Sequence, residues 1–427
     1  MQRAVISGLG FITSIGNDQA TVVESLRQAR TGIEYHQPFV DDPTHPVSLL
    51  GTVKGFDFPK ADFEEWTFPA TYTLARELLR PMAPNTLYAY FAMRQAIDDA
   101  GLTPEEVSNV ETGLMTANGG SMWMSHANYA IMDTRGVMKM PPMAIINGIP
   151  GSLYINLVPA FQIRGASIGF SSACSSSSHA LGMAVDLVQT GRQKRVFVVG
   201  AEDATRYNFA PFAAVRALSL QTDPEKAPRA FDKNRDGFVG TGGAAVLVVE
   251  SLEAARERGA KNIYAEVLGW GQASDGYNVL ASAPDGDGLM RTMQMALKDA
   301  KLAPEDIEYV NAHATSTPFG DVSEINAIKR TFPEGRRPLV SSTKSLTGHG
   351  LSLAGAMEAG FCCLTLRHGF VPISAHITEL DPMCEGVPII TEPVELAPKI
   401  VMNNSSGFGG TNVSVVLRKW EEAEGQD

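Results

Sequence analysis

The sequence has few cysteines and no pattern that would join them. Its 427 residues include four, and they form neither a CxxC pair nor a zinc-type spacing with histidine; they are Cys174, Cys362, Cys363 and Cys384. Disulfide scaffolds and structural zinc modules need more cysteines at regular spacings. We therefore expect free thiols, no metal site and a reducing compartment, the cytoplasm.

Basic residues and long apolar runs are also scarce. Lys and Arg number 35 against 47 Asp and Glu, which gives a formal net charge of −12. Nucleic-acid binding needs a basic surface that neutralises phosphates, so we expect no nucleic-acid partner. No run approaches the roughly 20 apolar residues of a membrane span, so we expect no membrane partner. Residues 4–10, AVISGLG, predict a first β-strand rather than a signal peptide.

Apolar runs of strand length alternate with helical patterns along most of the chain. Asn17 is predicted to cap a helix that extends to about Arg30, and a second helix is predicted from Asn85 to Ala100. Strands are predicted near 113–117, 195–201, 243–249 and 263–270. Residues 31–85 show no clear periodicity. The stretch 122–150, rich in Met, Trp and Pro, either covers an apolar cavity or caps the core, and we favour the second. The alternation predicts α/β layers.

Internal similarity divides the chain into two halves. Three stretches recur later in the same order, which chance resemblance does not readily produce. The matched pairs are 92–107 with 292–307, 171–175 with 341–345, and 237–247 with 407–417. We infer homologous halves, 1–258 and 259–427, packed about a pseudo-twofold axis. Equivalent turns then hold Cys174 and Lys344, and we expect these turns to meet where the halves join.

Residues 165–182, GASIGFSSACSSSSHALG, contain a candidate nucleophile. They predict a strand, a tight turn of small residues around Cys174, and a helix with Ser178 and His179 in its first turns. Backbone N–H groups converge at a helix N-terminus, and their positive partial charge favours the nucleophilic thiolate. The alternative is a buried structural cysteine, and the local sequence alone does not decide between the two.

Three polar turns follow in the second half, each after an apolar run. Taken singly, each is compatible with an ordinary loop. They are YVNAHATSTPFGD (309–321), which contains His313; VSSTKSLTGHG (340–350), which contains Lys344 and His349; and NNSSGFGGTN (403–412), a glycine-rich turn before the last strand.

Together with SSAC at 171–174, these segments resemble the elongating type I and type II β-ketoacyl-[acyl carrier protein] synthases, and type I more closely. The resemblance covers essentially the whole chain. It implies a thiolase-like α/β fold of two duplicated βαβ-type halves in an αβαβα arrangement. It also implies a homodimer without a cofactor, with acyl carrier protein as partner. The implied reaction is the decarboxylative condensation of a cysteine-bound acyl group with malonyl-[acyl carrier protein].

The resemblance also implies roles for the motif residues. Cys174 would carry the acyl group, while His313 and His349 would donate hydrogen bonds to the malonyl enolate. Lys344 would supply a fixed positive charge. The backbone N–H groups of Cys174 and Phe408 would form an oxyanion hole. The other implied residues are Gly409 beside the Phe408 gate, the supporting carboxylates Glu358, Asp321 and Glu324, the pantetheine-binding hydroxyls of Thr315 and Thr317, and Phe212 and Gly120 in the acyl pocket.

Two features depart from the family pattern. Ser406 replaces a common Phe, which would enlarge or loosen the gate, and the stretch 118–150 differs in a way that would alter chain-length choice. Docking of an acidic carrier protein calls for a basic patch. The weak candidates for this patch are Arg80, Arg135 and Lys139, with Glu77 where the family often has a basic residue.

Alternative functions fit parts of this pattern. A non-catalytic partner subunit that sets chain length would lack the nucleophile, whereas Cys174 is present. A specialised lipid or polyketide ketosynthase would share every motif. A degradative thiolase would need a second cysteine near 407–410, and an initiating type III synthase would have Asn in place of one His. Residues 231–243 mimic the start of a calcium-binding loop but end in Gly rather than Glu.

Overall fold

The computed structural model describes residues 1–421, in which strands and helices alternate as predicted. The strands are β1 (Ala4–Ile12), β2 (Ile33–Tyr35), β3 (Leu49–Gly51), β4 (Thr112–Ala117), β5 (Ser167–Phe170), β6 (Arg195–Glu202), β7 (Gly243–Ser251), β8 (Ala265–Ser274), β9 (Tyr309–Asn311), β10 (Leu339–Ser341), β11 (Ile400–Gly407) and β12 (Thr411–Lys419).

The α-helices are α1 (Gln19–Arg27), α2 (Gln37–Val40), α3 (Arg76–Leu79), α4 (Pro84–Ala100), α5 (Pro104–Val107), α6 (Met122–Arg135), α7 (Ala144–Asn147), α8 (Ser152–Phe161), α9 (Ser176–Gln189), α10 (Arg206–Ala214), α11 (Leu252–Glu257), α12 (Asp287–Ala300), α13 (Gly320–Thr331), α14 (Lys344–Thr347) and α15 (Ala354–His368). Short 3₁₀ turns lie at Phe63–Glu65, Val137–Lys139, Pro224–Lys226, Pro304–Asp306, Leu351–Leu353 and Pro382–Cys384.

Ten strands form one sheet in the order β10-β9-β11-β12-β8-β1-β7-β6-β4-β5. The central strands β1 and β8 pair antiparallel. Strands β1, β4, β5, β6 and β7 of the first half correspond in order and direction to β8, β9, β10, β11 and β12 of the second. The two sides of the sheet therefore repeat one topology, as the internal sequence similarity indicates.

Helices form three layers around the two halves of the sheet. Helices α9 and α15 pack against each other in the middle, and the largest hydrophobic core surrounds them. Helix α4 covers the outer face of the first half, and α12 with α13 covers that of the second. This is the predicted αβαβα arrangement. It buries both faces of the sheet, which explains why the strands are largely apolar along their whole length.

Glycines allow the outer helices to approach the central strands closely. A Cβ atom on Gly10 of β1 would overlap the carbonyl oxygen of Ala92 in α4. At the equivalent place in the second half, a Cβ atom on Gly271 of β8 would overlap the carbonyl oxygen of Thr292 in α12. The same helix-on-strand contact thus occurs in both halves.

Some local predictions were wrong. Helix α1 is capped by Asp18 rather than Asn17, because the Asp18 carboxylate accepts the Thr21 N–H at 2.8 Å. The stretch 122–150 caps the core only in part. It forms α6, a 3₁₀ turn and α7; Met124 is buried in the core of the first half, whereas Val137, Met138 and Ile145 are 63%, 91% and 75% exposed.

Two further observations bear on function. Within residues 1–421, no helix combines the length and apolarity required to cross a membrane. In the same range, no three His, Cys, Asp or Glu side chains are grouped in a way that could hold a metal ion.

Candidate active site

Serine hydroxyls hold the turn between β5 and α9 that presents Cys174. The Ser172 N–H donates to Ser176 Oγ at 2.8 Å, and Ser175 Oγ donates to the Ser172 carbonyl at 2.8 Å. Ala173 has a φ of 51°, in the left-handed region that favours small residues. This sharp turn brings the Cys174 thiol, which is 8% exposed, to the wall of a cavity of about 360 Å³.

Two histidines from the second half share this cavity with Cys174. His349 Nε2 lies 3.1 Å from Cys174 Sγ, within hydrogen-bond range for sulfur. The His313 ring is perpendicular to the His349 ring, with a centroid distance of 5.3 Å. The thiol and both imidazoles line the same cavity. The halves therefore meet at the site, with the sulfur supplied by one half and the imidazoles by the other.

Burial keeps Cys174 in its thiol form. It raises the pKa of Cys174 to about 12, even though the positive charge of Lys344 acts in the opposite direction. The expectation that the helix N-terminus favours a resting thiolate is therefore wrong, because the cost of burying a charge outweighs the local dipole. The thiol needs a proton acceptor when it reacts, and His349 Nε2 is within reach.

Both imidazoles are neutral at pH 7. Burial lowers the pKa of His313 and of His349 well below 6.5, and the charge of Lys344 lowers both further. A neutral imidazole has one N–H donor and one acceptor nitrogen. The buried Nδ1 atoms of the two rings make no hydrogen bond within residues 1–421. Within this part of the chain, no hydrogen bond therefore fixes either Nδ1 atom as a donor or as an acceptor.

A buried ion pair stands behind the histidines. Lys344 Nζ lies 2.5 Å from Glu358 Oε1, and the two side chains are 1% and 0% exposed. Burial raises the pKa of Glu358 to about 7, although Lys344 opposes this shift. The ammonium charge acts on Cys174, His313 and His349 together.

Two other carboxylates hold the backbone of the His313 loop. Glu324 accepts the N–H groups of His313 at 3.0 Å and Ala314 at 2.6 Å. Asp321 accepts the Ser316 N–H at 3.1 Å and lies 3.6 Å from the guanidinium group of Arg235. Burial raises the pKa of Asp321 to about 7, although Arg235 opposes this shift. These contacts fix the loop in which His313 lies.

The glycine-rich turn closes the cavity beside Cys174. Gly407 packs against the Cys174 backbone, since a Cβ atom there would lie 3.0 Å from the Cys174 nitrogen. The backbone N–H groups of Cys174 and Phe408 donate to no acceptor within residues 1–421. Both donors are therefore available to an oxygen in the cavity. Gly409 has a φ of 80° and donates its N–H to the Val279 carbonyl at 2.9 Å.

Most of the remaining predicted residues reach the cavity. Thr315, Thr317, Phe212, Phe408 and Ser406 line it, and the Phe212 and Phe408 ring centroids are 5.7 Å apart.

Gly120 does not line this cavity. It has a φ of 82° and packs against the backbone of 148–150, so the structure does not support its assignment to this pocket. The docking candidates Arg80, Arg135 and Lys139 are exposed and lie outside the cavity lining.

Several residues at the cavity mouth were missed by sequence analysis. Arg216, Leu280 and Phe319 line the mouth, and Leu280 and Phe319 are 47% and 78% exposed. Arg216 has a φ of 56°, a strained backbone conformation for a residue with a side chain. These residues lie in loops outside the recurring motifs, and the sequence offered no signal for them.

Comparison with known proteins agrees with this geometry. Residues 1–255 match the family model of the beta-ketoacyl synthase N-terminal domain, and residues 264–378 match that of its C-terminal domain. The 3-oxoacyl-[acyl-carrier-protein] synthase 1 of Haemophilus influenzae is 42% identical over 425 residues, covering 98% of this chain and all of the relative. The protein of the same name in Escherichia coli K12 is 39% identical over 427 residues, covering 99% of this chain and all of the relative.

A solved structure shows the same relationship in three dimensions. The beta-ketoacyl synthase from Burkholderia phymatum STM815 superimposes with a TM-score of 0.90 at 32% identity, covering 99% of this chain and all of that one. Sequence and fold therefore agree over the whole length of the chain, and the chain belongs to the β-ketoacyl synthase family.

Proposed function

We propose that this chain is an elongating β-ketoacyl-[acyl carrier protein] synthase. It condenses an acyl group on Cys174 with malonyl-[acyl carrier protein] and releases CO₂ and a 3-oxoacyl-[acyl carrier protein]. The observation that carries the proposal is the placement of the Cys174 thiol 3.1 Å from His349 in a cavity shared with His313. Relatives with this name match essentially the full length of the chain.

The first half-reaction transfers the acyl group to sulfur. Cys174 Sγ attacks the acyl thioester while its proton moves to His349 Nε2, and the proton then leaves with the departing carrier thiol. The negative oxygen of the tetrahedral intermediate is held by the backbone N–H groups of Cys174 and Phe408. A preorganised donor of this kind contributes about 3–4 kcal/mol to transition-state stabilisation.

The second half-reaction forms the carbon–carbon bond. Loss of CO₂ from the malonyl group leaves an enolate, so no strong base has to remove a carbon-bound proton. Neutral His313 and His349 donate N–H groups to the enolate oxygen. The enolate carbon attacks the acyl carbonyl on Cys174, the carbon–sulfur bond breaks, and the released thiolate regains a proton. Lys344 keeps the histidines neutral and favours the negative charges that develop near it.

We assign the cavity mouth to the carrier protein and its pantetheine arm. Thr315 and Thr317, whose hydroxyl oxygens lie 3.1 Å apart, offer hydrogen bonds to the amides of the arm. Arg216 provides a cation at the mouth of an otherwise acidic protein, where an acidic carrier would approach. The exposed Phe319 side chain offers an apolar contact next to it.

We further propose that two copies of the chain form a homodimer through β5 and the 122–150 segment. Strand β5 ends the ten-stranded sheet, and its Ile168 is 50% exposed. Unpaired, apolar edge strands invite pairing with another chain. The exposed side chains of Val137, Met138 and Ile145 supply further apolar area.

All four cysteines are free, which suits the cytoplasm.

Two variants test the division of labour at the site. Cys174→Ala should abolish uptake of a labelled acyl group but spare malonyl decarboxylation, because the imidazoles remain. His313→Ala should lose decarboxylation while Cys174 still takes up the label. Cys384→Ala, which removes a buried thiol outside the cavity lining, serves as control and should retain both steps. The opposite pattern, or full condensation by Cys174→Ala, would contradict the proposal.

A specialised lipid or polyketide ketosynthase would use the same chemistry. Ser406 lines the cavity wall and leaves room there that a larger side chain would fill. Acyl carrier proteins loaded with chains of graded length and unsaturation, each assayed with malonyl-[acyl carrier protein], distinguish the two. A non-catalytic partner subunit would show no label on Cys174 with any of them.

A further inference from the structure

A buried carboxyl group links strand β6 to the turn that carries His349. Glu202, at the end of β6, is 1% exposed, and its Oε1 accepts a hydrogen bond from the Ser352 hydroxyl. The same oxygen accepts the Gly119 N–H at 2.8 Å, just beyond the end of β4. Ser352 is itself 4% exposed and lies three residues after His349. Glu202 therefore joins two strand ends to the 349–353 turn.

The 349–353 turn needs such an anchor. Leu351 has a φ of 50°, a backbone conformation that residues other than glycine rarely adopt. Surrounding contacts must therefore enforce it. The backbone of His349 itself is bonded to residues 239–241, because its N–H donates to the Val239 carbonyl at 2.7 Å and its carbonyl accepts the Thr241 N–H at 3.1 Å. Beyond His349, the Ser352 hydroxyl is the first side chain of the turn to bond to another element, and its acceptor is Glu202.

The charge state of Glu202 also affects the reacting sulfur. An ionised Glu202 would raise the pKa of Cys174, as an ionised Glu358 would, whereas Lys344 lowers it. Burial raises the pKa of Glu202 to about 8, with the neighbouring Asp203 charge acting in the same direction, so the carboxyl is neutral at pH 7.

The second carboxyl oxygen of Glu202 makes no hydrogen bond in the described part of the chain. Oε2 is buried and has no hydrogen-bond partner within residues 1–421. A buried ionised oxygen left without a donor is costly, which also favours the neutral form.

We propose that Glu202 is a positioning residue: its neutral carboxyl holds the 349–353 turn through Ser352 and so aligns His349 with the Cys174 thiol without placing a negative charge beside the sulfur. The inference rests on the proposed function in one respect only, which is that Cys174 and His349 are the reacting pair.

Alkylation of Cys174 by iodoacetamide, followed by mass spectrometry of the intact full-length protein, tests the charge. The isosteric Glu202→Gln variant should react like the wild type at pH 7, within about twofold. Above pH 8 it should react roughly 3- to 10-fold faster, because only the wild type acquires a negative charge near the sulfur. Identical pH profiles for the two proteins would overturn the proposal.

Asp203→Asn is the matched control. Asp203 is equally buried but binds the Asn85 N–H rather than the His349 turn. Above pH 8 this variant should stay as slow as the wild type relative to Glu202→Gln, with the onset of the difference displaced at most to lower pH, because one charge that raises the pKa of Glu202 is gone. A profile that rises as steeply as that of Glu202→Gln would assign the effect to general charge and would also overturn the proposal.

Ser352→Ala tests the positioning. At pH 7 it should slow both alkylation of Cys174 and condensation kcat at least fivefold, with KM for the malonyl substrate changed less than twofold. Ser25→Ala is the control, since it removes a buried hydroxyl bond to the Ile15 carbonyl elsewhere, and both rates should persist. Unchanged rates in Ser352→Ala would refute the positioning role. Alkylation does not require ketosynthase activity, so failure of the proposed function would remain distinguishable.

Discussion

At the scale of single residues, burial sets the protonation state of the reacting groups. It keeps Cys174 a thiol and His313 and His349 neutral, and Lys344 shifts the pKa of all three downward. One buried cation thus keeps hydrogen-bond donors neutral and favours a developing thiolate. Removing it should disturb both half-reactions through pH rather than through lost contacts with substrate.

Lys344→Met should move the acid limb of malonyl decarboxylation to higher pH. Without the neighbouring cation, protonation of His313 and His349 costs less, so their pKa values rise toward 6.5 and the neutral rings are lost at a higher pH. Release of labelled CO₂ between pH 5 and 9 measures this shift. Lys233→Met, which removes an exposed cation paired with Glu379, should leave the profile unchanged. An unshifted acid limb in Lys344→Met would contradict the prediction.

The same variant should lose stability as pH rises. Glu358, left without its cation, has a folded-state pKa far above its unfolded value, so the native state holds a proton that the unfolded state releases. Stability is then retained at low pH and falls as pH rises through the folded-state pKa. Leaving a buried charge unpaired costs about 3–5 kcal/mol. Urea unfolding at pH 5.5 and pH 9 should show the larger deficit at pH 9.

The motif residues were predictable from sequence, whereas their electrostatics were not. Cys174 and Lys344 lie at equivalent turns of the internal repeat, and His313 and His349 lie in segments that resemble the motifs of a known family. The thiolate expectation for Cys174 was wrong because a helix dipole can be inferred from local sequence, but burial depends on how the halves pack. Arg216 was missed because an isolated loop residue carries no pattern.

At the scale of elements, predictions succeeded where a segment packs along its whole length. Helix α4 and strand β4 begin within one residue of their predicted starts, since both bury a continuous apolar surface. The prediction for the 122–150 stretch was only partly right, because a Met- and Trp-rich composition indicates apolarity but does not show which of its side chains will be covered. Close helix-on-strand contacts, by contrast, leave a signature in glycines at strand centres.

Gly10→Ala and Gly271→Ala should both be strongly destabilising, by roughly 2 kcal/mol or more, because each added methyl group overlaps a helix carbonyl and has to displace α4 or α12. Gly276→Ala is the matched control. Its Cβ would meet open space and only a φ of 62° opposes it, so about 1 kcal/mol is expected. Denaturant midpoints of the three variants measure the difference. Equal midpoints would show that α4 and α12 move aside without a loss of stability, which would contradict the prediction.

At the scale of the whole molecule, the two outer edges of the sheet differ. The β10 edge is covered, because the Val340 N–H donates to the Pro388 carbonyl and the Val340 carbonyl accepts the Ile390 N–H. The β5 edge has no such cover within residues 1–421, since β5 pairs with β4 alone. A duplicated chain is expected to have two equivalent sheet edges. The sequence repeat therefore could not show that the β10 edge is covered and the β5 edge is open.

The open edge leads to the last prediction. A twofold axis perpendicular to the sheet would pair β5 antiparallel with its copy and join two ten-stranded sheets. Ile168→Lys places one positive charge in each copy of β5, and the two charges would lie close together in the dimer. The variant should therefore be monomeric at micromolar concentration, as measured by light scattering. Leu220→Lys, at an apolar residue that is 61% exposed in a loop belonging to neither β5 nor the 122–150 segment, should remain dimeric. A monomeric wild type, or Ile168→Lys of unchanged mass, would contradict this assembly.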